Sequence, residues 1–218
     1  MIHSILRQKK HENWAEIETL LSAIEGEKEK GDAFEQFTFF YFFFYQNVYQ
    51  INDLYSDKID GRSIPKALKT KLKLSDRDDG VDGLIIDTRG RSIAYQAKFR
   101  SNRISPPSNE LNNFWSEAEY SDFRLVITNA TRLPSDVRKR KGQLAVLAER
   151  LDTLPAEFFE ELYRWAISSK PRLPVTKATP RAYQIEILNA VEEGFSKVNR
   201  GKVVAACGIG KTLIALWC

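Results

Sequence analysis

Between Phe34 and Tyr45 the chain places nine aromatic residues in twelve positions. At about 100° per residue, rings at this density cover nearly the whole circumference of a helix, and a helix that is apolar on every side belongs inside a core. Nine rings on one short helix also exceed what a nucleic-acid strand could use for stacking. The oily stretch Phe37 to Tyr45 falls far below the roughly 20 residues a membrane helix needs. The run therefore predicts a buried helix. Gly31-Asp32 just before it makes Asp32 the expected N-cap, with the helix reaching about Gln46. Such a helix must be wrapped by further layers. The chain has 218 residues, 43% of them hydrophobic and 28% charged, enough for one full domain plus an appendage or two small domains.

Other classes are excluded quickly. Two cysteines, Cys207 and Cys218, supply neither a disulfide framework nor a four-ligand zinc site, so a reducing cytoplasm is expected. Arg7, Lys9 and Lys10 precede any apolar run, which is not the order of a signal peptide, and no membrane segment is expected. The net charge of +4 favours a polyanionic partner only weakly. Its distribution says more, because Arg138-Lys139-Arg140-Lys141 concentrates it at a potential phosphate-tracking site.

Periodicity predicts an amphipathic helix over Asn13 to Glu25, with Trp14, Ile17, Leu20, Leu21 and Ile24 on one face and Gly26 as its stop. Residues 50–79 read as irregular, with at most one short helix. Gly83 to Asp87 and Ile93 to Phe99 read as a β-hairpin turning at Gly90. A helix carrying Leu111, Phe114, Trp115 and Ala118 follows, then a buried strand over Arg124 to Thr128 and helices over Pro134 to Arg150 and Leu154 to Ile167. Two prolines and small polar residues mark a linker at 168–180. Beyond it come a helix over Ala182 to Phe195, a strand over Lys202 to Ala206 and a glycine loop.

The sharpest chemistry lies in the hairpin. Asp82 opens its first strand. Gln96 and Lys98 in the second project to one face because strand side chains alternate. Phosphodiester hydrolysis needs hard oxygen ligands for Mg²⁺ or Mn²⁺ and a cation near the attacking water. Asp82 and Gln96 offer the first and Lys98 the second, and Glu35 on the aromatic helix is the candidate completing carboxylate. The segments Gly31-Asp32-Ala33-Phe34-Glu35, Asp79-Gly80-Val81-Asp82-Gly83 and Tyr95-Gln96-Ala97-Lys98-Phe99, with the helix containing Phe114, resemble Mrr-like restriction endonucleases of the PD-(D/E)XK superfamily over roughly residues 25–150. The resemblance implies an α/β fold with a restriction-endonuclease-like core, a mixed sheet flanked by helices. It also implies metal binding at Asp82 and Gln96 and a catalytic Lys98. Gln96 stands where the superfamily usually has an acid, the QXK variant, and a neutral carbonyl oxygen is a weaker magnesium ligand than a carboxylate.

A second constellation follows the linker. Ala206-Cys207-Gly208-Ile209-Gly210-Lys211-Thr212 reads as a loop cradling phosphates, Lys211 reaching the β/γ oxygens and Thr212 joining Mg²⁺. It resembles motif I of superfamily 2 helicases and translocases. Pro180-Arg181-Ala182-Tyr183-Gln184 resembles their adenine-recognising glutamine motif, with Gln184 as base reader, 24 residues ahead of Gly208. The expected organisation is a nuclease domain with an N-terminal helix over 1–167, a linker over 168–180, and an incomplete ATPase segment of truncated RecA-like type over 181–218. The chain thus reads as the N-terminal fragment of an ATP-dependent restriction enzyme acting on double-stranded DNA, and by itself it is expected not to hydrolyse ATP. The rival reading is a catalytically decayed DNA-binding module that loads a helicase or translocase.

Overall fold

The aromatic run forms the C-terminal half of helix α2 (Glu27–Phe44), and the other layers of the first unit are arranged around it. A computed structural model of the chain describes residues 6–7, 9–75, 80–168, 182–197, 202–203 and 214. Helix α1 (Trp14–Ala23) is capped by Asn13, whose side chain accepts from the Glu16 amide at 3.0 Å. It lays Trp14 against Phe37 with ring centroids 4.9 Å apart. Helix α7 (Ala156–Ile167) brings Phe158 within 5.4 Å of Phe40 and 5.0 Å of Phe44, and Trp165 within 5.2 Å of Phe40. From the sheet, Tyr95 meets Phe42 at 5.3 Å.

Helix α2 starts earlier than the sequence predicts. Its N-cap is Gly26, at φ +90°, and Asp32 lies inside the helix, paired with Lys58 Nζ at 2.8 Å. Glu27-Lys28-Glu29-Lys30 are good helix formers, and acids suit the positive end of the helix dipole. A mid-helix glycine costs only about 1 kcal/mol, so Gly31 does not stop propagation into a segment whose burial stabilises far more.

Five strands are described, β1 (Ile51–Tyr55), β2 (Gly83–Asp87), β3 (Ser92–Lys98), β4 (Phe123–Thr128) and β5 (Gln143–Val146), in the spatial order β1-β2-β3-β4-β5. The first three pair antiparallel, and β3/β4 and β4/β5 pair parallel. Helix α3 (Lys66–Leu72) lies between β1 and β2, and a 3₁₀ turn (Ser108–Leu111) with helix α4 (Asn112–Glu117) forms the crossover from β3 to β4. Alternation sorts the side chains. Ile85, Tyr95, Ala97, Leu125 and Ile127 face the α2 cluster, while Leu84, Ala94 and Val126 join Leu111, Phe114, Leu133 and Val137 on the opposite face.

Two sequence expectations need correction. Residues 50–79 contain β1 as well as the short helix. Where the sequence predicts one helix over 134–150, the chain forms α5 (Ser135–Arg138), a turn, β5, and α6 (Ala148–Asp152). Gly142, at φ +76°, breaks the helix, and its carbonyl accepts from Arg124 N at 2.9 Å, drawing the segment into pairing with β4. The hairpin, with Gly90 at φ +75°, and the buried strand at 124–128 stand as expected.

The chain divides into two compact units, Met1–Thr176 and Lys177–Cys218. In the second, helix α8 (Ala182–Lys197) is described. Lys202 and Val203 are not in a strand, and the rest of the strand expected at 202–206, the glycine loop and most of the linker lie outside the described residues. Among the described residues no helix is long and apolar enough to cross a membrane.

Phe158 packs against five rings of the aromatic run, Phe37, Phe40, Tyr41, Phe44 and Tyr45. Replacing it with alanine is expected to destabilise the chain by about 3–5 kcal/mol in urea denaturation, and a loss below about 1 kcal/mol would contradict this packing.

Candidate active site at the β2–β3 edge

Asp82, immediately before β2, is held to β3 by main chain and side chain together. Its amide donates to Tyr95 O at 3.0 Å, and its Oδ2 accepts from Ala97 N at 2.6 Å. Strand alternation puts Gln96 and Lys98 on the face of Ala94, away from α2. Gln96 is 3% exposed and its Oε1 is buried with no hydrogen-bond partner. Lys98, partly exposed, sits at the end of β3 opposite Thr128.

Two glycines shape this edge. At Gly83 a Cβ would lie 2.2 Å from Tyr95 Oη and 2.3 Å from Tyr55 O, where Tyr95 Oη donates to that carbonyl at 3.1 Å. At Gly80, φ +102°, a Cβ would lie 3.3 Å from Gln96 Nε2 and 3.1 Å from Phe114 N. The chain entering β2 therefore passes closely over the Gln96 amide and against α4. A side chain at position 80 would have to displace one or the other.

Glu35 comes from α2, which packs on the face of β3 opposite Gln96 and Lys98, and its Oε2 is buried. Burial pushes the Tyr95 phenol well above its ordinary pKa, and the Asp82, Glu35 and Asp57 carboxylates push it further, so Asp82 and Glu35 share the surroundings of one phenol. Among the described residues no group of three or more His, Cys, Asp or Glu is placed to hold a metal. The oxygen donors on the sequence-predicted positions are the Asp82 and Glu35 carboxylates, both near the Tyr95 phenol, and the Gln96 amide on the other face of β3. A buried, unpartnered Oε1 on the strand that holds the Asp82 carboxylate is a donor of the kind a hard cation prefers.

Sequence reasoning missed what holds the chain beyond Lys98. Asn129 is fully buried, and its Oδ1 accepts from Arg100 N at 2.7 Å. Its Nδ2 donates to Arg100 O at 2.7 Å and to Glu18 Oε1 at 2.6 Å. Arg103, at φ +55°, then bridges Glu18 on α1 and Asp152 on α6. The side-chain amide continues the β3–β4 pairing one step past the last paired residues, Lys98 and Thr128.

The basic run lies on a tight turn instead of a long helix. Arg138, Lys139 and Lys141 are exposed. Arg140 reaches Asn112 Oδ1 at 3.5 Å, at the start of the helix whose Phe114 backbone lies against Gly80. In the second unit Gln184 is buried in the first turn of α8. Gly208, Gly210, Lys211 and Thr212 lie outside the described residues.

Residues 177–217 match the family described as Type III restriction enzyme, res subunit. Among solved structures the chain is similar to the ATP-dependent Type ISP restriction-modification enzyme LlaBIII bound to DNA, at 19% identity and a TM-score of 0.50. The alignment covers 94% of this chain and 12% of that one, so the chain spans about an eighth of that protein's length. No curated protein matches the sequence significantly.

Two glycine substitutions should separate the tight edge from an ordinary helix. Gly83→Ala is expected to cost about 1–3 kcal/mol through overpacking, whereas Gly31→Ala, with nothing within 4 Å of its Cβ, should stabilise α2 by about 0.5–1 kcal/mol. Denaturant midpoints moving in the same direction for both would contradict the geometry.

Proposed function

We propose that the first unit is a divalent-metal-dependent DNA endonuclease module of the Mrr-like PD-(D/E)XK type, in its QXK form, and that the second begins a superfamily 2 ATP-driven motor. The observation that carries this reading is the buried, unpartnered Gln96 Oε1 on the strand whose Ala97 amide holds Asp82, with Lys98 two residues on along the same face. The strand order supports it, since a helix, an antiparallel meander, a crossover helix and a parallel strand follow one another in the chain. The likeness to part of a DNA-bound restriction-modification enzyme supports DNA as the partner, and the match over 177–217 supports ATP as the motor's fuel.

In this reading Asp82, Glu35 and Gln96 hold Mg²⁺ or Mn²⁺. When bound, the ion polarises the scissile phosphate and lowers the pKa of a water. The chain's residues supply position and charge. Asp82 is fixed to β3 through the Ala97 amide, so its carboxylate has little freedom to move. Lys98, at the strand end clamped by Asn129, presents an ammonium that neutralises developing charge on the phosphate and orients the attacking water. The exposed Arg138, Lys139 and Lys141, with Arg140 beside them, track the backbone of a duplex entering over α4. Gln184, Gly208, Gly210, Lys211 and Thr212 bind ATP in this proposal, Gln184 reading the base and the others cradling the phosphates.

The neutral Gln96 also favours a second reading, a DNA-binding module that has lost cleavage and serves to load the motor.

Plasmid nicking or cutting in Mg²⁺ or Mn²⁺ separates the two. The wild-type chain is expected to cleave, and Lys98→Ala and Asp82→Ala to lose about 10²-fold or more while keeping the circular dichroism of the fold. Gln96→Glu should retain cleavage. Binding without cleavage in either metal selects the loading module, and equal cleavage by wild type and Lys98→Ala overturns the assigned site.

A further inference from the structure

We infer that Trp115, Arg124 and Arg140 form a built site for a single DNA-backbone phosphate, separate from the metal site. The inference rests on reading the first unit as DNA-acting, and does not require that it cut.

Both guanidiniums lie against one indole. Arg124 Cζ is 5.3 Å and Arg140 Cζ 5.0 Å from the Trp115 ring centroid. Trp115 comes from α4, Arg124 from the start of β4 and Arg140 from the turn before β5, so three separate segments converge. The donors here are not used up. Trp115 Nε1 and Arg124 Nε are both buried without a hydrogen-bond partner, and leaving a buried donor unpaired is unfavourable.

The charge is also unmatched. Elsewhere in the unit arginines hold close carboxylates, as Arg91 does with Asp87 at 2.7 Å and Arg103 with Asp152 at 2.8 Å. Among the described residues Arg124 forms no ion pair, and its Nη2 donates to the Glu119 carbonyl. Arg140 has Asp136 no closer than 3.9 Å, and the other Asp136 oxygen accepts from Ser108 Oγ at 2.7 Å. The nearby Glu117 carboxylate accepts from Ser75 N at 3.0 Å. One guanidinium without a carboxylate, a second with Asp136 only at 3.9 Å, and an indole N–H without an acceptor suit a tetrahedral oxyanion, because the planar fork of arginine bonds phosphate oxygens in pairs. A phosphodiester is the form of that anion a DNA-acting unit meets, and Arg140 also touches Asn112 on the helix packed against Gly80.

The test uses the full chain and a short duplex in Ca²⁺ or EDTA, so that no cleavage is required. Each phosphate neutralised contributes about −0.9 to the slope of log K against log salt, so Arg124→Gln/Arg140→Gln should flatten that slope by about one. Trp115→Phe keeps a ring under both guanidiniums but removes the N–H. It should bind several-fold more weakly at an unchanged slope, and should abolish a duplex-induced change in tryptophan emission seen in wild type. An unchanged slope in a double variant that unfolds at the wild-type temperature overturns the proposal. So does the same emission change with inorganic phosphate at matched ionic strength when the duplex slope stays fixed, which would mark a free-anion site. Should the glutamine pair fail to fold, Arg124→Lys/Arg140→Lys keeps the charge and loses the fork. Weaker binding at an unchanged slope then supports the site, and wild-type binding overturns it. Slope and emission changes without any cleavage would leave this site standing and remove the endonuclease reading.

Discussion

The first unit is organised by the need to bury α2. A helix with rings on every side cannot rest on a sheet by one stripe, so α1 and α7 close over it while the sheet covers the remainder. That burial commits one face of β3 to aromatic packing, through Ile93, Tyr95 and Ala97. The intervening residues must then point into the second layer, where Ala94 is covered by Leu111 and Phe114. Gln96 and Lys98 continue the same row toward the strand end. The candidate site sits where this cover runs out, with Gln96 still enclosed beneath Gly80 and Lys98 already partly open.

What could be read from sequence follows from the range of the interactions involved. The hairpin and the shared face of Gln96 and Lys98 are local, set by period-two alternation and one turn glycine, and both were legible. The start of α2 was not, because Gly31-Asp32 has the chemistry of a cap, yet the segment gains more by staying helical and pairing Asp32 with Lys58. β1 and β5 were missed for a different reason. Asn52 and Leu144 are exposed along strands that lie at the sheet edges, so hydropathy gives little period to find, and only pairing with β2 and β4 makes them strands. The Asn129 clamp and the Trp115 cluster join residues far apart in the chain, and no spacing rule connects Glu18 to Asn129 or Trp115 to Arg140.

The two comparisons bear on different residues. The family match falls on 177–217, while the structural likeness spans nearly the whole chain. At 19% identity the likeness speaks to fold, and folds host many activities, so the functional argument has to stand on the site itself. There the glycines matter as much as the polar residues. Gly83 lets a backbone and a phenol approach within distances that any side chain would forbid, Gly80 at φ +102° takes a turn that a Cβ would crowd against Phe114 N and Gln96, and the carboxylate between them is positioned as a result.

The identity of residue 96 has an electrostatic consequence of its own. Its side chain is 3% exposed, and the amide of the next residue, Ala97, holds Asp82. An ionised carboxylate there, without a cation, would be desolvated, which disfavours the charged form. A glutamate would therefore tie the folding of the edge to metal or to protonation. Glutamine avoids that, because burying an amide with one unused acceptor costs far less than burying an unpaired charge. The exchange has a definite sign. In the proposed reading, the site would gain stability in the absence of metal and lose part of the attraction for one, so metal affinity would rest more heavily on Asp82 and Glu35.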